Sequence, residues 1–359
     1  MSTSGRVVKR ILVGRAMRSD RLSETLLPKR LALPVFASDA LSSVAYAPDE
    51  ILLTLGLAGG AMALTNSWKI GLAVAFVMAI VVMSYRQNVH AYPSGGGDYE
   101  VASVNIGPKA GLTVASALLV DYVLTVAVSV SSGVQNAAAA LGFVRGHEAI
   151  VAVIIVVLLT AMNLRGVRES GSAFAIPTYL FMVAVIGMSA VGFWRSASGT
   201  LPAAESANLT LAPEPGYESL GSIAMAFLLL RAFSSGCAAL TGVEAISNGV
   251  PAFQKPKSKN AATTLLLMGS IAITMLLSII ALSRLTNIHY AEDPATQLLR
   301  DGAPVGEEYV QDTVLGQLKS WGVDPDSLRT RFSDDDGQVP PWLASVLPDS
   351  AVPTGDPGL

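Results

Sequence analysis

Apolar residues in this chain run in blocks long enough to cross a bilayer, and polar residues collect in the connections between them. A helix needs ~20 consecutive apolar residues to span hydrocarbon. Seven runs meet or approach that length, at residues 31–57, 67–85, 111–143, 149–164, 172–194, 220–250 and 261–285. The pattern predicts an all-α membrane protein. Two runs are interrupted near their middles. The first contains Asp39, Ser42, Ser43, Tyr46, Pro48, Asp49 and Glu50, and a carboxylate and a proline at that depth predict a broken helix lining a polar path. The sixth contains Ser234, Ser235 and Gly236, with Arg231 before them and Thr241, Glu244 and Asn248 after. Two broken helices separated by four continuous ones mark an inverted-repeat transporter, whose site is formed by unwound backbone at the midplane. On that pattern the first five runs complete one repeat, and the sixth and seventh begin a second that is incomplete.

Composition agrees, with 51% hydrophobic and 14% charged residues and a mean hydropathy of +0.50, against about 25% charge in soluble domains. A formal net charge of −3 is too small to point to nucleic acid as a partner. The charge is unevenly placed. The arm of residues 1–30 carries Arg6, Lys9, Arg10, Arg15, Arg18, Arg21, Lys29 and Arg30 against Asp20 and Glu24, which places the N-terminus in the cytoplasm. Alternation from there predicts that the connections after the second, fourth and sixth helices are internal. They hold Arg86 and Lys109, then Arg165 and Arg168, then Lys255, Lys257 and Lys259. Residues 31–285 form the transmembrane domain, and residues 286–359 are a polar tail with thirteen acids against four bases. By parity the tail is extracytoplasmic, and its composition suits a poorly ordered segment.

The third run carries the sharpest constellation. Asp121, Thr125 and Ser129 recur at i, i+4 and i+8, which sets a carboxylate and two hydroxyls in one row along a helix face, with Tyr122 beside the carboxylate. Oxygens one turn apart suit a hard cation that exchanges its water for protein ligands stepwise. Alternatively, both hydroxyls bond back to carbonyls of the preceding turn. Asp121 itself, costing at least ~2.5 kcal/mol on insertion scales, marks an ion or proton pathway. Asp39 admits two roles, ion ligand or proton carrier, and a third as the ion-pair partner of Arg231. Tyr46, seven residues on, could gate or coordinate, or pack at a helix interface. The loop from Tyr92 to Gly111 holds Gly95, Gly96 and Gly97 and predicts a tight re-entrant turn; without the Lys-Ser/Thr ending of a Walker motif it is not a phosphate loop. No catalytic constellation emerges, and the chain reads as a non-enzyme.

Three segments, Ser38-Asp39-Ala40-Leu41-Ser42-Ser43-Val44-Ala45-Tyr46-Ala47-Pro48, Leu119 to Ser129 and Leu240 to Val250, resemble the KimA-type potassium transporters of the KUP group, within the amino acid/polyamine/organocation superfamily. The resemblance runs from Lys29 to Arg284. It implies a LeuT-like fold in the cell membrane and potassium uptake by proton symport, with potassium as substrate, a proton as coupling ion and no cofactor. It assigns potassium or proton contacts to Asp39, Tyr46, Asp121, Tyr122, Thr125, Ser129 and Thr241; Thr241 and the role of Tyr122 rest on it alone. Members of that family have about twelve transmembrane helices and a cytosolic domain that mediates dimer contacts, so the lipid bilayer and, at full length, a homodimer are the implied partners. This chain ends after seven helices, which implies that it does not transport alone. An amino acid permease of the same superfamily is the alternative, but residues 42–45 lack the glycine with which such permeases bind a substrate carboxylate.

Overall fold

The computed structural model describes residues 26–140, 144, 146–164, 167–306, 309 and 313. The basic arm up to residue 25 and most of the acidic tail, with the disorder expected of it, lie outside the described residues. The long helices are α1 (Lys29–Gly56) and α2 (Gly60–Ala91), then, after a short α3 (Gly97–Asn105), α4 (Pro108–Ala140), α5 (Glu148–Leu164) and α6 (Val167–Ala197). The sixth run is divided into α7 (Ser222–Gly236), a 3-10 turn over Cys237–Leu240 and α8 (Ala245–Asn248), and the seventh is α9 (Lys257–Leu285). Five of the described helical segments are long and apolar enough to cross a membrane, by length and composition.

By contacts the chain divides into two units, residues 1–120 with 159–292 and residues 121–158 with 293–359. The first is built around α1, whose Ala37, Ala40, Leu41, Val44, Ala47 and Ile51 are all fully buried. The alanines among them let neighbours approach closely, as membrane helices require in the absence of a hydrophobic drive between them. Gly236 lies against Ile51 and Val74, Gly71 against Ile280, and Gly269 against Val82. α9 contributes Leu265, Met268, Ala272 and Leu276 to the same core.

The connections of this unit gather at two ends. At one, the Leu57 carbonyl accepts from Glu214 N–H (2.9 Å), the Thr286 carbonyl from Ala204 N–H (2.8 Å), and Ser206 Oγ from His289 N–H (2.9 Å). At the other, Leu27 exchanges backbone bonds with Ala252 (2.8 Å) and Gln254 (3.1 Å), and the glycine turn before α3 packs on Asn248 and Pro251. The turn is followed by a nine-residue helix, so residues 92–111 are not loop throughout. Tyr85 Oη donates to Asp98 Oδ2 (2.9 Å) and holds the start of that helix.

In the second unit, Val134 and Ala138 of α4 pack with Val144 and with Val151 and Ile155 of α5. Past Arg284 the polar segment has local order. Asp293 caps α10 (Pro294–Gln297) by accepting from Ala295 N–H (3.2 Å) and Thr296 Oγ1 (2.7 Å), and Leu298–Arg300 pairs antiparallel with Ala303–Pro304.

The first run departs from its expectation. α1 continues without a break from Lys29 to Gly56, through Asp39, Ser42, Ser43, Pro34 and Pro48. Its polar groups find partners without unwinding the backbone: Ser42 Oγ donates back to the Asp39 carbonyl (2.8 Å), and Ser43 bonds across to the sixth run (2.7 Å). The break falls in the sixth run alone.

Candidate functional site

Asp39, Ser43 and Tyr46 stand at i, i+4 and i+7 on α1 and so share one face. That face meets the break in the sixth run. α7 ends at Gly236, the backbone tightens over Cys237–Leu240, and Thr241 is extended (φ −63°, ψ 144°). Gly242 then takes φ +79°, where L side chains are strained. A Cβ there would lie 2.6 Å from Asp39 Oδ2 and 2.8 Å from Ala40 N. The absence of a side chain at 242 is what lets the unwound segment lie directly on Asp39.

Three hydroxyls link the two elements. Tyr46 Oη is 2.9 Å from Ser43 Oγ, and Ser43 Oγ is 2.7 Å from Thr241 Oγ1. Thr241 Oγ1 donates to the Ala238 carbonyl at 2.9 Å. Each hydroxyl has one hydrogen and two lone pairs, so the last bond sets the direction of the others: Ser43 donates to Thr241, and Tyr46 donates to Ser43. Ser43 is fully buried, whereas Tyr46 is 45% exposed. The string begins at an accessible phenol oxygen left with lone pairs only. The Ala238 carbonyl, in the 3-10 turn that follows the C-terminal, partially negative end of α7, closes the other end. Oxygens, a carboxylate and a negative helix end together favour a cation.

Arg231 does not pair with Asp39. Its Nη1 donates to Tyr217 Oη at 3.4 Å.

Asp121, Tyr122, Thr125 and Ser129 belong to the other unit and form their own row on α4. On the same helix, Thr113 Oγ1 and Ser116 Oγ donate to carbonyls four residues back, those of Lys109 (3.1 Å) and Leu112 (2.9 Å). Thr125 and Ser129 do not follow them: among the described residues neither hydroxyl bonds to the protein, and neither does the Asp121 carboxylate. Back-bonding therefore does not explain their presence on this face.

A family model described as amino acid permease matches residues 35–289. The chain belongs to that family. This permease is a multi-pass membrane protein, and it is 42% identical over 266 residues to the potassium transporter KimA of Bacillus subtilis (strain 168). The match covers 73% of this chain and 42% of the relative, so the permease spans less than half the length of that protein. Ser43 is the contact that sequence reasoning passed over. It reads there as one of several small polar residues, and only its complete burial in α1 shows that its hydroxyl must be satisfied by another element.

Proposed function

We propose that this permease carries potassium into the cell by alternating access, with the N-terminus cytoplasmic and a proton as coupling ion. The reading rests on the oriented string Tyr46–Ser43–Thr241 beside Asp39. Such an array offers a dehydrated monovalent cation a carboxylate and neutral oxygens in place of its water. The Bacillus relative is a potassium transporter, which supports potassium as that cation. The row Asp121, Tyr122, Thr125 and Ser129 on α4 is, by the resemblance of its segment to potassium transporters, a further set of candidate potassium or proton contacts. An intramembrane carboxylate marks an ion or proton pathway, and Asp39 and Asp121 are the two candidates to carry the coupling proton.

The test is potassium-limited growth of a transport-deficient bacterium carrying the full-length gene. Asp39→Asn and Asp121→Asn are predicted to fail at low potassium and to grow when potassium is plentiful; normal rescue by both variants contradicts the proposal. The second reading, an amino acid permease, draws on the description of the matching family. Against it, α1 is continuous and uses its amides internally, and Asp39 beside the break repels a substrate carboxylate. Uptake that amino acids inhibit and rubidium does not would establish that second reading.

A further inference from the structure

We propose that Ser43 is a positioning residue of the cation site: it fixes the direction of the Tyr46 hydroxyl, so that the tyrosine offers only lone pairs to the ion. The inference rests on the cation reading above. An isolated phenol can rotate its hydrogen toward a nearby ligand, and a hydrogen facing a cation is repelled. Here that rotation is locked. The Thr241 hydrogen is committed to the Ala238 carbonyl at 2.9 Å, which leaves Thr241 as acceptor for Ser43 at 2.7 Å and Ser43 as acceptor for Tyr46 at 2.9 Å. The bonds are short, fully buried at Ser43, and polarise one another in the same sense.

The same geometry couples the site to the conformation of the sixth run. Thr241 keeps its bond to Ala238 only while Cys237–Leu240 holds its 3-10 turn. If that turn rewinds or opens, the Thr241 hydrogen is released, the string loses its fixed direction, and Tyr46 loses its orientation. Ion affinity thus depends on the state of the break through Ser43, a side chain that need not touch the ion.

Two measurements on the full-length protein test this. The first is the infrared spectrum of the Tyr46 phenol in detergent-solubilised protein, isolated by subtracting the Tyr46→Phe spectrum. The wild type is expected to show a tyrosine that donates, and Ser43→Ala one that does not; an unchanged signature overturns the inference. Ser43→Ala leaves the volume nearly unchanged, and Ser43→Cys, which keeps a weak acceptor and donor at that position, is expected to give a weakened donor signature. The second is rubidium uptake. Ser43→Ala is expected to raise KM about tenfold, the size of one well-placed hydrogen bond at a charged site, with kcat within about twofold. In a Tyr46→Phe background it should raise KM no further, since the group it orients is gone; additive effects overturn the inference. A wild type that takes up neither rubidium nor potassium would refute the transport reading, while the infrared comparison would still decide the role of Ser43.

Discussion

Gly242 carries two demands at once: a positive φ of +79° and a Cβ position 2.6 Å from the Asp39 carboxylate. Gly242→Ala is predicted to push the unwound segment off α1, lowering the melting temperature by the equivalent of ~1–3 kcal/mol and abolishing uptake. A variant with full activity would show that the close approach is dispensable. The hydroxyls of α4 give the opposite expectation. Because Thr125 and Ser129 bond to no carbonyl among the described residues, Thr125→Val and Ser129→Ala should leave stability within about 0.5 kcal/mol while weakening potassium uptake. Thermal melting and uptake on the same preparations separate the two effects, and a loss of stability equal to the loss of transport would mark the pair as structural.

At the scale of elements, the contrast between α1 and the sixth run decides where backbone is free. Amide hydrogen exchange is predicted to be slow over residues 38–47 and fast over residues 237–244; rapid exchange near Ser43 would restore a broken first helix. Both runs carry small and polar residues at mid-length, and from the sequence they look alike. The difference is made by partners. In α1, Ser42 bonds to its own helix and Ser43 to a hydroxyl nearly two hundred residues away in sequence (2.7 Å), and no periodicity reveals such a partner. In the sixth run, Gly242 follows Thr241 and the backbone turns left-handed. The helices themselves were legible, because apolar runs of this length leave few alternatives in lipid. Their ends were not, since α2 continues past its apolar block through Arg86, Gln87, Asn88 and His90, and α6 runs past its block at both ends, from Val167 and to Ala197. The short helix that starts at Gly97 was hidden by Gly95, Gly96 and Gly97 at its start, which read as loop.

For the molecule as a whole, the gathering of alternate connections at two ends of the first unit supports the alternation inferred from Lys and Arg, with residues 251–259 and Leu27 together at one end and residues 204–214 with 286–289 at the other. A cysteine at Lys255 is predicted to react with a membrane-impermeant thiol reagent only from the cytoplasmic side, and one at Ser219 only from outside; the reverse pattern would invert the permease. Acids and hydroxyls of the site were visible in the sequence as chemistry out of place in lipid, and their grouping on one face of α1 follows from spacing. The direction of the hydroxyl string was not visible, because it depends on the single bond from Thr241 to Ala238. The most direct test of the account is the concentration dependence of initial potassium uptake by the full-length protein carrying Asp39→Asn or Thr241→Val. The cation site proposed at the meeting of α1 and the sixth run predicts a KM raised about tenfold or more in each, and a KM unchanged in both would contradict it.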